Sequence, residues 1–307
     1  MPRRFSLFAL LLTLALLLVA SCVSIPSYTQ IISQSDSMAH NKDADGGKPL
    51  SCSIAKMQKS LNSGAQNSAT SLNPQHISLI NWNIYKAQGE NWAEDFKTLI
   101  KGQNLVLIQE ALNQPEVIAP LQHQQPWWQL NNAFYYNGHA TGVLTASSTP
   151  AIFGCGLRTI EPLIQTPKTV LINLYPIAGS SQRLLVANLH GINFTPGTET
   201  YAEQIREMSS MIEQHSGPLI IAGDFNSWSD ARNEVVDAMV EKLSLKGLAY
   251  TSHNRVKVFG HALDHVFYRG LDIISEETLE VSSSDHNPIR VSFRVPADKT
   301  VNPVVLN

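Results

Sequence analysis

Short, almost wholly apolar runs recur along the chain, and polar residues stand directly at their ends. The run Pro218–Ala222 is followed at once by the segment Gly223–Asn226. A short run without polar positions predicts a strand that is buried on both faces. The abrupt change after it predicts that Asp224 and Asn226 project together from the C-terminal end of this strand, which is where α/β sheets present functional groups.

Polar residues flank five other predicted strands in the same way. Asn83 follows Ile77–Ile80, Glu110 follows Leu105–Ile108, His190 follows Leu184–Ala187, Asp264 precedes Val266–Tyr268, and Ser284–Pro288 precedes Ile289–Val295. A carboxylate at a buried sheet end is costly unless a metal, a cation or hydrogen bonds compensate its lost hydration. The recurrence therefore predicts one functional site shared by several strand ends.

Apolar residues at helical spacing predict three helices among these strands. The first is capped by Asn91 and stopped by Gly102, and the second starts at Thr200 and ends at Gly217–Pro218. The third spans residues 230–243. Strands and helices therefore mix without the strict alternation of a doubly wound parallel sheet.

A strand pair rich in aromatic residues is predicted between Pro115 and Pro150, and its rings include Trp127 and Trp128. Such a surface could serve as a stacking platform at the rim of a cleft. Ordinary packing within a sheet explains the aromatic residues better, because aromatic side chains are common in strands.

Length and composition permit a sizeable core but do not identify a substrate. The 307 residues have room for one large domain or two small ones, and a hydrophobic content of 43% suffices for a core. The net charge of -3 provides no general attraction to nucleic acid, so a polyanion would have to bind at a local patch.

The N-terminus has the pattern of an export signal. After a short positive segment, Phe5–Ala20 is an almost unbroken apolar stretch, shorter than a comfortable membrane span of about 20 residues. Val19–Cys22 resembles a bacterial lipobox, so residues 1–22 are predicted to be a lipoprotein-type signal peptide with the lipid on Cys22. An uncleaved anchor or an ordinary signal peptide are the alternatives. The predicted location is the periplasmic side of the bacterial cell envelope, and Val23 after the cysteine favours the outer membrane.

Residues 23–73 are polar and poor in aromatic residues, which predicts a flexible tether. The alternative is an ordered layer around the domain, and it gains weight if Cys52 is paired. With Cys22 lipidated, Cys52 and Cys155 remain, and in an oxidising compartment they could form a disulfide. Two unpaired thiols are the equal alternative. Residues 297–307 are predicted to be a C-terminal tail.

The strand-end groups are those needed to hydrolyse a phosphodiester with a hard divalent cation. Mg²⁺, for which Mn²⁺ can substitute, prefers carboxylate and amide oxygens, and the sequence has no His/Cys cluster with the spacing of a zinc site. The metal would neutralise charge on the phosphate and the leaving oxygen while a carboxylate or an imidazole activates water.

The motifs resemble those of the endonuclease/exonuclease/phosphatase (DNase I-like) superfamily. They occur in its order, as Trp82–Ile84, Gln109–Glu110, Leu189–His190, Gly223–Asn226, Leu263–His265 and Ser284–Pro288. More narrowly, three segments resemble the YafD-like branch: Trp82–Lys86, Asn193–Phe194 and Val266–Gly270. The resemblance covers the domain predicted at 74–296. It implies a four-layer α/β sandwich in which two mixed sheets pack face to face, helices lie outside, and the site lies where strand ends of both sheets meet.

The resemblance also implies roles for the matching residues. Glu110 would be the principal metal ligand, assisted by Asn83 and Asp285. Some repair nucleases carry an acidic residue where this chain has Tyr85, so a single metal site centred on Glu110 is expected.

The remaining residues would act on the water and the phosphate. Asp224 would position or deprotonate the water, and Asn226 would support Asp224 or the phosphate. His286 would bind the phosphate or act as the base, and Asp264 would orient it. His190 and Asn193 would contact the phosphate. Whether Asp224 or His286 is the base stays open.

The leading hypothesis is an exported, monomeric phosphodiesterase that depends on Mg²⁺, most plausibly a nuclease for DNA or RNA. A sphingomyelinase-like phospholipid hydrolase or another phosphoester hydrolase is the second hypothesis, with the lipid anchor providing contact to the membrane. The sequence has no excess of basic residues, which argues against the nuclease. It also has no evident exposed apolar hairpin, which argues against the lipid enzyme. A non-catalytic binding protein on the same fold is the third hypothesis.

Overall fold

The computed structural model describes residues 23–34, 48–49, 51–62, 70–252 and 254–296. Its α-helices are α1 (Ile54–Asn62), α2 (Trp92–Leu99), α3 (Pro115–Gln124), α4 (Glu199–Ile212) and α5 (Asp230–Lys242). Its strands are β1 (Val23–Ser24), β2 (Gln30–Ser33), β3 (Lys48–Pro49), β4 (Ile77–Asn83), β5 (Leu105–Leu112), β6 (Trp127–Tyr136), β7 (His139–Ser147), β8 (Phe153–Ile160), β9 (Pro167–Pro176), β10 (Arg183–His190), β11 (Leu219–Asp224), β12 (Lys246–Gly247), β13 (Lys257–Val258), β14 (His261–Ala262), β15 (Asp264–Arg269), β16 (Asp272–Thr278) and β17 (Ile289–Arg294).

Two large mixed sheets form the centre of the molecule. The first has the order β16-β17-β4-β5-β7-β6-β2-β3, with β1 paired to β6, and the second has the order β12-β15-β11-β10-β9-β8. β4 is parallel to β5 and β10 is parallel to β11, while their other neighbours are antiparallel. The predicted mixed α/β fold with two face-to-face sheets is confirmed.

Alternate residues of the central strands face different layers, which explains why these strands are apolar throughout. In β11, Leu219 and Ile221 pack with the helix residues Ile205 and Met208, whereas Ile220 and Ala222 pack in the core between the sheets. α2 and α3 cover the other sheet through a third apolar cluster. The layers are therefore helix, sheet, sheet and helix.

The three predicted helices are present, but their ends differ from the prediction. The helix placed after Asn91 is α2, although the Asn91 side chain makes no capping hydrogen bond. The helix predicted from Thr200 begins one residue earlier, at Glu199, and ends at Ile212 rather than at Gly217–Pro218. α5 begins after Ser229, whose side chain accepts a hydrogen bond from the Arg232 amide.

In its described parts, the segment 23–73 is not the free tether that its composition predicted. β1 and β2 pair with β6, and α1 inserts Met57 into the core beside β8. Cys52 and Cys155 form a disulfide. These parts therefore match the alternative of an ordered layer, because a covalent link and a buried side chain hold them on the domain.

The predicted signal peptide with Cys22 and the predicted tail at 297–307 lie outside the described residues. Among the helices that are described, none is long and apolar enough to cross a membrane.

The predicted aromatic strand pair is the hairpin of β6 and β7. Trp128 is buried, and Trp127 lines a separate cavity with Trp128 and Tyr175. Since these rings do not line the candidate site described below, the interpretation as strand packing is the one that fits.

Candidate active site

Strand register brings the predicted site residues together. In the second sheet, Asp224 is paired with His190 on one side and with Asp264 on the other. In the first sheet, Asn83 ends β4 next to the bulged part of β5 that contains Glu110. Because both sheets end at the same edge, residues far apart in sequence line one cavity of about 510 Å³.

Asp224 lies at the centre of this constellation and is 1% exposed. Its Oδ2 accepts a hydrogen bond from Asn83 Nδ2 at 3.1 Å and lies 3.4 Å from His190 Nε2 and 3.8 Å from His286 Nε2. Its Oδ1 accepts a hydrogen bond from the Asn226 amide at 2.9 Å. The neighbours from both sheets thus converge on one carboxylate.

Asp264 holds His286 from the opposite side. His286 Nδ1 lies 2.7 Å from Asp264 Oδ2, so this nitrogen carries the shared proton and Nε2 points to Asp224. Burial opposes the imidazolium, but the carboxylates of Asp264 and Asp224 outweigh it and raise the pKa of His286 to about 10. His286 is therefore a cation at neutral pH.

The pKa of Asp224 is raised as well, which for a carboxyl group favours the neutral form. Burial raises its pKa to about 6, although His286 and Lys168 act against this rise. A carboxylate with a pKa near neutrality can accept a proton and still be ionised at physiological pH. The geometry supports Asp224 as the base and His286 as its positively charged partner.

Glu110 occupies a bulge rather than the end of its strand. The sequence predicted that the strand stops at Ile108, whereas β5 continues to Leu112 with a register shift between Ile108 and Ala111. Glu110 has a left-handed φ of 54° within this shift. Bulges redirect single side chains at functional edges, and this one turns the carboxylate into the cavity.

Two lysines in the cavity were not among the predicted site residues. Lys86 Nζ contacts Glu110 Oε2 at 2.5 Å, and Lys168 Nζ lies 2.8 Å from His190 Nε2. The motif Trp82–Lys86 contains the first lysine, but an isolated cation in a sequence is more often solvated surface than a site residue. Lys168 stands at an unremarkable position in β9, so no local pattern indicates it.

Burial and the neighbouring ammonium of Lys168 both favour the neutral form of His190. Burial lowers the pKa of His190 well below its usual value, and the ammonium of Lys168 lowers it further. Neutral His190 can accept a hydrogen bond from Lys168 at Nε2. Burial also lowers the pKa of Lys168, while Glu161, Glu110 and Asp224 act against this change.

Asn193 and Asn226 both line the cavity, with their side chains engaged in the protein. Asn226 has a φ of 50° and donates from Nδ2 to the Gly191 carbonyl at 3.0 Å. Asn193 Oδ1 accepts a hydrogen bond from Trp228 Nε1 at 3.0 Å. Asn193 thereby fixes the Trp228 ring, which lines the same cavity.

Four aromatic residues line the cavity together with its charged groups and are called the aromatic wall below. They are Tyr85, Phe194, Trp228 and Phe259. The Trp228 ring stacks on the Arg232 guanidinium at 4.2 Å and contacts Phe259 edge-on at 6.1 Å. The residues come from four separate segments, so sequence spacing gave no sign that they meet.

The residues present fit a divalent cation. The predicted ligands Glu110, Asn83 and Asp285 all line the cavity and offer oxygen atoms, as Mg²⁺ requires. A second buried group, Asp224, Asp264 and His286, has potential ligand atoms within 4.8 Å of one another. In this group the His286 Nδ1 lies at hydrogen-bond distance from Asp264, an arrangement that orients the imidazole.

The two packed sheets and the polar groups gathered at their common edge define a protein of the DNase I-like class. A family model described as Endonuclease/Exonuclease/phosphatase family matches residues 80–286. The chain belongs to this family. The predicted superfamily is thereby confirmed. The YafD-like branch within it stays a prediction.

Solved structures agree with this assignment. The catalytic domain of human nocturnin with a bound sulfate anion is 18% identical over 74% of this chain and 96% of that one, with a TM-score of 0.55. An endonuclease/exonuclease/phosphatase from Bacteroides vulgatus is 15% identical over 72% and 100%, with a TM-score of 0.57. The mannosyl-6-phosphatase of Bacteroides thetaiotaomicron is 14% identical over 71% and 99%, with a TM-score of 0.53. At these identities the similarity establishes the fold.

Proposed function

We propose that the protein is a metal-dependent phosphodiesterase that cleaves nucleic acid or nucleotide substrates. The observation that carries this proposal is the position of the Asp224 carboxylate between Asn83, His190 and His286, with Asp264 behind His286. Membership of the Endonuclease/Exonuclease/phosphatase family supports the coarser statement that the chain is a phosphoester hydrolase.

Glu110, Asn83 and Asp285 would hold the cation, with Mg²⁺ or Mn²⁺ as the expected ion. When bound, the cation supplies positive charge against the phosphate and the leaving oxygen. Asp224 accepts the proton of the attacking water, for which its raised pKa suits it. Asn83 and Asn226 hold the Asp224 carboxylate in place through their hydrogen bonds to it.

The cationic groups of the cavity would receive the phosphate. His286 stays protonated because Asp264 and Asp224 flank it, and its charge can stabilise the growing negative charge on the phosphoryl oxygens. Lys168 adds a second cation beside His190. Asn193 lines the same cavity.

The aromatic wall favours a substrate that carries nucleobases. Bases stack on exposed aromatic rings with little dependence on their sequence, and Phe194 is half exposed. The net charge of -3 provides no general attraction to a long duplex. Single-stranded or short substrates are therefore proposed rather than long double-stranded DNA.

A specific observation favours phospholipid as a second candidate substrate. The sequence predicted no exposed apolar hairpin, but β13 and β14 form one, with Val258 and Phe259 at its end and Phe259 83% exposed. Leu163 and Ile164 add an exposed apolar turn between β8 and β9. Apolar side chains beside a phosphoesterase site could contact a lipid surface.

The cell-envelope location and the lipid on Cys22 remain proposals that rest on the N-terminal pattern alone. Metabolic labelling with a radioactive fatty acid tests them directly. Wild-type protein should take up label and a Cys22→Ala variant should not. Label in neither protein would contradict the lipoprotein.

The function itself is tested by incubating the full chain with Mg²⁺ or Mn²⁺ and single-stranded DNA, RNA, plasmid DNA or sphingomyelin vesicles. Asp224→Asn should abolish hydrolysis, and Asp272→Asn on β16 is the matched surface control. Cleavage of nucleic acid supports the first candidate, and turnover of sphingomyelin alone supports the second. Metal binding without any turnover would favour the non-catalytic binding protein.

The lipid candidate has its own variant. Phe259→Ser should reduce binding to sphingomyelin vesicles if the hairpin contacts lipid, whereas Ile274→Ser, an exposed apolar residue on β16, should not. Vesicle co-sedimentation measures this difference. If both variants bind the vesicles equally, the hairpin does not contact lipid, and the phospholipid candidate loses its support.

A further inference from the structure

The ammonium of Lys86 occupies one carboxylate oxygen of the proposed metal ligand Glu110. Lys86 Nζ lies 2.5 Å from Oε2 of Glu110, the residue proposed as principal metal ligand. Both side chains are mostly enclosed, with 23% and 18% of their surface exposed. An ammonium and a divalent cation cannot occupy the same contact on this carboxylate.

The backbone on both sides of this contact is unusual. Tyr85, Lys86 and Ala87 have φ values of 50°, 51° and 58°, and Glu110 has 54°. Residues other than glycine rarely adopt this left-handed conformation because Cβ crowds the backbone, and three in succession are rarer still. Such a conformation persists where the surrounding structure enforces it, and it concentrates at functional sites.

The surrounding structure holds this turn firmly. The Ile84 amide donates to the Gln109 carbonyl at 3.1 Å, which ties the turn to the bulge that contains Glu110. The Ala87 amide donates to the Ile84 carbonyl at 2.9 Å, and Gly89 packs directly against the backbone of Ser283. Lys86 is therefore delivered to Glu110 by a fixed scaffold.

A simple surface ion pair does not explain the arrangement. The exposed pair of Lys242 and Glu213 has side chains that are 44% and 49% exposed, and such pairs contribute little. Lys86 instead lies inside the cavity with Asp224 and Asp285, where an incoming divalent cation and a phosphate would meet it.

We propose, on the basis of the function proposed above, that Lys86 is an exchangeable counter-cation of Glu110. Binding of the divalent cation breaks the ion pair, and the released ammonium, still carried by its fixed turn, contacts the substrate phosphate. The charge of Lys86 thereby weakens metal binding in the absence of an anion. Metal and anion binding become coupled, because each relieves the charge that the other leaves unpaired.

Calorimetric titration of the full chain with Mn²⁺ tests this proposal without measuring activity. Lys86→Met should bind Mn²⁺ about tenfold more tightly than wild type, since one positive charge next to the ligand is removed. Lys86→Arg, which keeps the charge, and Lys242→Met, which removes a lysine elsewhere, should both bind as wild type does. Sulfate should tighten Mn²⁺ binding in wild type and have a smaller effect in Lys86→Met.

Glu110→Gln separates failure of this inference from failure of the proposed function. Mn²⁺ binding that Glu110→Gln abolishes but Lys86→Met leaves unchanged or weakens would overturn the exchange and leave the metal site intact. Absence of Mn²⁺ binding in both wild type and Lys86→Met, with both shown by thermal unfolding to be folded, would overturn the metal site and the exchange together.

Discussion

Asp264, His286 and Asp224 form one line of charges through the site. The imidazole of His286 lies between two carboxylates, 2.7 Å from Asp264 and 3.8 Å from Asp224. This position keeps His286 protonated and leaves Asp224 as the group able to take up a proton near neutrality. These surroundings support the proposal that Asp224 is the base.

The pH dependence of hydrolysis should reflect this line of charges. Asp224 must be ionised to accept a proton, and its pKa of about 6 instead of 3.8 places the acid limb of kcat/KM near pH 6. His286 must stay protonated, so kcat/KM should fall as the pH rises through its pKa of about 10. A pH–rate profile with a soluble phosphodiester measures both limbs.

Asp264→Asn should move the alkaline limb to lower pH, because the carboxylate that raises the pKa of His286 is lost. Asp272→Asn on β16 should leave the profile as in wild type. An alkaline limb that does not move in Asp264→Asn would contradict the role assigned to the imidazolium.

Lys168 should matter for activity but not for stability. A Lys168→Met variant loses the charged donor that lies 2.8 Å from His190, and we expect kcat/KM to fall at least about tenfold. The melting temperature should stay equal or rise, because a buried ammonium no longer has to be desolvated. Enzyme assays and thermal unfolding measure the two effects, with the exposed Lys246→Met as control. Parallel losses of activity and stability would indicate a structural role instead.

At the scale of elements, β4 and the loop before β17 act as one support for the site. Trp82 Nε1 donates to the His286 carbonyl at 2.9 Å, and Ser284 Oγ donates to the Asn83 carbonyl at 2.7 Å. These bonds join the two segments that present Asn83 and His286. The ends of these two neighbouring strands of the first sheet are thereby held together at the site.

Gly89 should not tolerate a side chain, because the turn after β4 packs tightly against the loop before β17. A Cβ at Gly89 would lie 1.8 Å from the Ser283 carbonyl oxygen, so Gly89→Ala must displace the backbone next to His286. We expect a loss of about 2 kcal/mol in the free energy of unfolding, together with reduced activity. Gly247→Ala, whose Cβ would lie 3.7 Å from the Phe267 ring, is the matched control. Urea denaturation that fails to distinguish the two variants would show that the loop can move away.

At the scale of the whole molecule, the described parts of the segment 23–73 belong to the folded unit. The disulfide of Cys52 and Cys155 closes a loop of 103 residues in sequence. Met57 in α1 is fully buried against the second sheet. The fold therefore extends beyond the segment 80–286 that matches the family model.

Removal of this disulfide should lower stability markedly. A cross-link over about 100 residues restricts the unfolded chain, and the loop-entropy relation gives about 4 to 5 kcal/mol for its loss. Guanidinium unfolding of wild type with and without reductant, beside Cys52→Ser, measures the effect. The variant should match reduced wild type and show no response to reductant. A wild type that is insensitive to reductant would contradict the pairing.

The sequence by itself determined the central strands and most of the predicted catalytic groups. Continuous apolar runs predict strands buried on both faces, and abrupt polar positions such as Asp224 mark their ends. Both signals are local, so they can be read without knowing which strand pairs with which. The order of the motifs was enough to indicate the family.

Only the tertiary structure decided what surrounds these groups. The bulge at Glu110, the contacts of Lys86 and Lys168, and the wall that contains Trp228 and Phe259 depend on pairing between segments distant in sequence. No periodicity within one segment encodes such contacts, because they arise when strand register and loop closure bring separate segments to one edge. For the same physical reason, the pairing of Cys52 with Cys155 could not be read from their spacing and required the structure.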